Sequence, residues 1–124
     1  MTIASWCVLI ACLLPYVFTG LAKFTGRRYN NYRPRDFLEQ LDGWRKRAHW
    51  VQLNSFEALP PFIAAVLIAQ QQGGPQDCID QLAVGFIVLR GLYGVFYLSD
   101  KAILRTLSWT LSVACVVAIF ISAA

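Results

Sequence analysis

The stretch "RAHWVQLNSFEALPPFIAAVLIA", Arg47 to Ala69, decides how the rest of the chain is read. It starts in a basic cluster and ends as an apolar run, yet its middle carries an asparagine, a glutamate and two adjacent prolines. About 20 apolar residues, rising 1.5 Å each, cross a hydrocarbon core about 30 Å thick. A carboxylate inside such a span is costly, so it either finds partners or marks a site.

Three more apolar stretches accompany it: Ile3 to Leu21, roughly Leu82 to Leu98, and Leu107 to Ala124. They lift the hydrophobic content to 57% and the mean hydropathy to +0.51, where soluble chains sit at about 45–50% apolar. A chain of 124 residues cannot cover that much apolar surface with its own core, so lipid or a partner subunit must do so. The expected architecture is an all-α, integral membrane four-helix bundle. It forms one domain over 1–124, with helices at about 3–24, 47–71, 79–99 and 102–122.

The first stretch has no basic residues ahead of it, which sets it apart from a cleaved signal peptide. The net charge of +4 comes with no nucleic-acid motif, so a nucleic-acid partner is not expected. Cys7, Cys12, Cys78 and Cys115 show no CxxC or histidine-paired spacing, and neither a metal site nor a disulfide framework is expected.

Eight of the eleven basic residues lie between Lys23 and Arg47, and Lys101 and Arg105 flank the third connection. The second connection, "QQQGGPQD", has none. The positive-inside rule then faces the first and third connections to the cytoplasm and both termini to the other side. Helices with this charge bias fit a multi-pass protein of a bacterial inner membrane. Within the first connection, Phe37 to Leu41 can form a short interfacial turn, with Trp44 anchoring at the headgroups.

Arg47, Asn54 and Glu57 recur at helical spacing and share one face of the second span. Arg90, Tyr93 and Tyr97 form a second stripe on the third span, and Arg105 opens the fourth, followed by Trp109. With Arg47 at the boundary, Asn54 lies about 10 Å and Glu57 about 15 Å along the helix, and Arg90 about 13 Å in from its own end. All these groups fall in the cytoplasmic half. Arg90 and Glu57 could neutralise each other as a clasp between helices, or bind the two ends of a zwitterionic or peptide-like ligand. Pro60 and Pro61 remove the amide donors that would serve the Phe56 and Glu57 carbonyls, which favours a polar cavity and a bend there. The single histidine, His49, falls opposite Arg47 and reads as interfacial. Gln52 lies away from the centre of the polar face and could reach another helix or a polar edge.

At this point the chain resembles the MAPEG family, the membrane-associated proteins in eicosanoid and glutathione metabolism. "RAHWVQLNSFEALPPF" is similar to the family's pattern of Arg-Ala, then Asn, two unspecified residues, Glu and proline. "LRGLYGVFYLSDKAILRTLSW" resembles the arginine and tyrosine that lead into a fourth-helix arginine. The resemblance covers nearly the whole chain and implies a homotrimer with a glutathione site between subunits. It implies Arg47, Asn54, Glu57, Arg90, Tyr93 and Tyr97 as glutathione ligands and Arg105 as the catalytic group stabilising the glutathione thiolate. Two positions depart: Trp50 stands where many members have a second arginine, and Gln52 where they often have histidine. The implied function is a glutathione-dependent membrane transferase or peroxidase acting on lipophilic electrophiles or hydroperoxides. The alternatives are a small membrane transporter, which the missing acid in the first span and the extra arginines disfavour, and a non-catalytic scaffold of the same fold.

Overall fold

Thr2 opens the first helix: its Oγ1 accepts the Ser5 amide at 3.0 Å, satisfying one of the donors that a helix start leaves unpaired. The computed structural model describes residues 1–26 and 28–124; Arg27, one of the eight basic residues counted above, lies outside the described residues. The chain runs through α1 (Ile3–Phe24), α2 (Pro34–Glu39), α3 (Gly43–Gln71), α4 (Gln76–Leu98) and α5 (Ala102–Ser122). Helices α1, α3, α4 and α5 are each long and apolar enough to cross a membrane, and most of each span faces outward. The protein is therefore an all-helical, multi-pass membrane protein.

The boundaries differ from the sequence expectation in two places. The second span begins at Gly43 instead of near Arg47, so Arg45, Lys46 and Arg47 all lie within the first turns of α3. Asp42 supplies the extended N-cap and Gly43 takes a φ of 59°, which costs glycine little. The third span begins at Gln76, directly after Pro75, because proline ends the loop but does not obstruct the helix that follows it. The expected turn near Phe37 is the one-and-a-half-turn helix α2, with Pro34 at its start. Phe37, Leu38 and Leu41 are buried there against Ala22 and Ala48, while Trp44 stays exposed.

Two tight helix ends set the connections. After α3, the Gly74 amide bonds the Ala69 carbonyl at 3.0 Å and the Gly73 amide bonds Gln70 at 3.1 Å, with Gly73 at φ 74°. That is a Schellman ending, and its left-handed residue is glycine. The same motif ends α4: Lys101 bonds Phe96 at 2.9 Å and Asp100 bonds Tyr97 at 3.1 Å. Here the left-handed residue is Asp100, at φ 61°. Lys101 also precedes α5 directly, so the hairpin turns in three residues and α5 returns flush along α4.

Helix α4 packs most extensively on α5, and α1 on α3; α3 and α4 also meet each other at the centre. The main core gathers Phe62, Val66, Ile79, Phe86 and Ile119, with Phe62 stacked on Phe86 at 4.0 Å between ring centroids. Small residues let the helices approach, as membrane packing favours. Among the glycines, the tightest position is Gly94, where an added Cβ would lie 2.1 Å from Cζ of Phe18 on α1. At the end away from the basic connection, Asp80 Oδ1 accepts the Ala4 amide at 2.9 Å and Gln76 Nε2 at 2.8 Å. Thr2 Oγ1 donates to Gln70 Oε1 at 2.7 Å, so α1, α3 and α4 are tied together there.

Candidate functional site

Helix α3 runs unbroken through Pro60 and Pro61, carrying Glu57 about one turn and Asn54 nearly two turns before them. Opposite them, Arg90 projects from the middle of α4 and is only 2% exposed. Its Nη2 donates to Asn54 Oδ1 at 2.7 Å, and Asn54 Nδ2 donates to Glu57 Oε2 at 3.4 Å. The expected alternatives were a direct ion pair or separate ligand contacts. The arrangement is instead a relay in which a neutral amide joins the guanidinium to the carboxylate. An amide suits this position because it offers an acceptor to one neighbour and donors to the other.

This relay forms the polar end of a cavity of about 230 Å³ between α3, α4 and α5. Its remaining wall is mostly apolar, with Pro61 and Phe86 on one side and Trp109, Ser112 and Val113 of α5 on the other. Ser112 Oγ spends its hydrogen on the Trp109 carbonyl at 2.7 Å, leaving lone pairs as its remaining polarity. Asn54 and Glu57 also edge an adjoining groove of about 370 Å³ lined by Trp50, Leu53, Tyr93 and Tyr97. The two hollows share Asn54 and Glu57, so they form one site with a deep part and an outer part.

Aromatic rings organise the cations. The Arg90 guanidinium lies 4.3 Å from the centre of the Tyr93 ring, which is itself 6% exposed. Tyr93 meets Tyr97 edge-on at 5.6 Å, and Arg105 covers the Tyr97 ring at 4.6 Å. Stacking of this kind holds a guanidinium without consuming its hydrogen-bond donors. The tight α4–α5 turn explains the last contact, because it returns the first turn of α5 beside Tyr97. Trp50 packs on Tyr97 at 6.3 Å, so the position that departs from the family pattern supplies an aromatic wall.

Of the residues singled out from the sequence, Asn54, Glu57, Arg90, Tyr93 and Tyr97 converge on the two hollows, and Arg105 stands at their rim. Arg47 lines neither. Its Nη2 donates to the Leu98 carbonyl at 3.0 Å, serving an acceptor that the α4 C-terminus leaves unpaired. It shares a face with Asn54 but sits about 10 Å further along the axis, which brings it level with the end of α4. His49 is 8% exposed, buried more than its interfacial reading implied, and Gln52 turns to it at 3.2 Å instead of reaching another helix. Residues three apart are neighbours on a helix surface, which is the physical reason.

The α5 wall was not identified from the sequence beyond Trp109. Ser108 and Ser112, four apart in an apolar helix and both buried, were the available signal.

No curated protein and no solved structure matches the chain. The family model for MAPEG matches residues 3–124, nearly the full length. With four membrane-capable helices and the relay between α3 and α4 in place, the chain belongs to the MAPEG family.

Proposed function

We propose that the protein is a glutathione-dependent membrane transferase or peroxidase, active as a homotrimer, with the basic end of the bundle facing the cytoplasm. One observation carries this reading: a buried guanidinium, an amide and a carboxylate form the polar end of a cavity whose other walls are apolar. A charged tripeptide and a lipophilic reactant need such a site, one for each half. The deep part, at about 230 Å³, is smaller than the roughly 300–1,000 Å³ of ordinary small-molecule sites. The adjoining groove extends it, and a neighbouring subunit packed on the outward apolar faces of α3 and α5 would close it.

Glutathione enters as substrate. Arg90 would meet one of its carboxylates, Glu57 its amine, and Asn54, Tyr93 and Tyr97 its peptide groups, while Arg47 would reach the other carboxylate only by releasing the Leu98 carbonyl. A thiol ordinarily ionises near pH 8.5, and a guanidinium in a poorly hydrated pocket favours the thiolate. Arg105, stacked and therefore free to offer its N–H groups, would hold that thiolate at the rim. Attack on an electrophilic carbon forms a thioether, as a leaving group departs with the bond's electron pair or, at a conjugated double bond, the π bond breaks and the adjacent carbon takes up a proton. Attack on a hydroperoxide breaks the O–O bond, and a second glutathione completes reduction to the alcohol, water and glutathione disulfide.

Titration calorimetry of the detergent-purified protein is expected to show saturable glutathione binding in the sub-millimolar to low-millimolar range, lost in Arg90→Ala. Equal heats from both proteins, or none from either, would overturn the assignment. Conjugation and lipid-hydroperoxide assays beside it separate the two chemistries.

A further inference from the structure

Arg90 faces a second space, separate from the cavity just described. Between α1, α3 and α4 lies a small hollow of about 10 Å³, whose lining includes Ala11 and Leu14 of α1, Ser55 of α3, and Phe86 and Arg90 of α4. Three polar groups of these residues lack an ordinary partner. Ser55 Oγ and Arg90 Nη1 are both buried without a hydrogen bond. Pro15 stands four residues after Ala11 in α1, so the Ala11 carbonyl has no amide donor at its helical position. All three residues are almost fully shielded: Ala11 at 5%, Ser55 at 6% and Arg90 at 2% exposure.

A buried donor or acceptor left unmade costs about 1–3 kcal/mol, and more when it is charged. Three such deficits around one small hole are not a stable apolar void. The space is at the lower bound for one water molecule, which needs two to four polar partners. It is too small for chloride or any organic ligand. Prolines inside membrane helices are tolerated where water restores the lost hydrogen bond.

We infer that a single structural water is held between the Ala11 carbonyl, Ser55 Oγ and Arg90 Nη1, and that Ser55 acts through it as a positioning residue for Arg90. The water donates to the carbonyl and to Ser55, and accepts from the guanidinium. With Nη2 held by Asn54 and Nη1 by the water, the guanidinium plane is fixed from both edges. The water is independent of the glutathione reading, because its test measures stability alone, whereas the positioning role of Ser55 rests on that reading.

Threonine and valine have nearly the same shape and differ by a hydroxyl, so they separate a wet hole from a dry one. With the water present, Ser55→Thr keeps a thermal midpoint within a degree or two of the native protein, while Ser55→Val lowers it by several degrees. A dry hole gives the opposite order, because valine fills space and removes an unsatisfied hydroxyl; a Ser55→Val midpoint equal to or above that of Ser55→Thr overturns the inference. If the added methyl prevents both from folding, Ser55→Ala replaces them: a lower midpoint than native supports the water and an equal or higher one refutes it. In an Arg90→Leu background the Thr–Val difference is expected to shrink by at least half, and an unchanged difference would rule out coupling to Arg90. For Ser55 as a positioning residue, Ser55→Val should weaken glutathione binding several-fold and Ser55→Thr should restore it. A native-like dissociation constant for Ser55→Val would remove that role even if the water exists.

Discussion

Replacing Asn54 by leucine tests the relay at its centre. Leucine has similar bulk but removes the Oδ1 that accepts Arg90 Nη2 at 2.7 Å and the Nδ2 that faces Glu57. A hydrogen bond to a charged group is worth about 1.5–3 kcal/mol, whereas the 3.4 Å contact to the exposed Glu57 contributes little. Arg90 is 2% exposed and cannot turn to water without opening the helix interface. The expected net loss is therefore about 2 kcal/mol, close to the hydrogen-bond value and below the 3–5 kcal/mol of a broken buried ion pair. The measurement is reversible unfolding in mixed detergent micelles, followed by tryptophan fluorescence, on a double-mutant cycle with Arg90→Leu. Once the guanidinium is gone, Asn54→Leu should cost less than 0.5 kcal/mol, leaving a coupling energy above about 1 kcal/mol. Additive losses would refute the relay, because they would mean that Arg90 does not depend on the amide.

Two further outcomes follow from the packing. Gly94→Ala is expected to destabilise by about 1–3 kcal/mol in the same assay, because its methyl would meet the Phe18 ring at 2.1 Å, and a native-like midpoint would refute that contact. Phe18→Leu in the Gly94→Ala background should recover part of the loss. Asp100→Gly should stabilise by about 0.5–1 kcal/mol, since a left-handed φ of 61° strains a residue with a Cβ; a lower midpoint would show that the aspartate carries a compensating role.

The crossings were legible in the sequence because apolar length alone determines them, and the gathering of Asn54, Glu57 and Arg90 because helical spacing and similar depth bring them together; that Arg90 bonds Asn54 and not Glu57 was not legible. The start of α3 was not, since Gly43 to Lys46 lies outside the apolar run whose edge marked the boundary. Arg47 was assigned by face, and face ignores axial distance: two turns along the helix, its nearest acceptor is the end of α4. The α5 wall depends on how the α4–α5 hairpin rotates that helix, which no periodicity in an almost uniformly apolar segment reveals. The interior hole was hidden for a related reason. Ala11, whose carbonyl Pro15 leaves without its helical donor, Ser55 and Arg90 belong to three helices, and only their packing makes three minor polar oddities into one place.

The position of α5 in the chain has a consequence for biosynthesis. Proteins emerge from the ribosome in order, so α3 and α4 are threaded into the bilayer before the final span exists. During that interval Asn54 and Arg90 can pair, but the flank of the relay that Trp109 and Val113 later cover lies open to acyl chains. A chain stalled before Ala102 thus presents a guanidinium and a carboxylate to lipid, a signal that membrane quality-control proteases could read. Completion of the last helix covers the flank beside Arg90, and the same event builds the pocket.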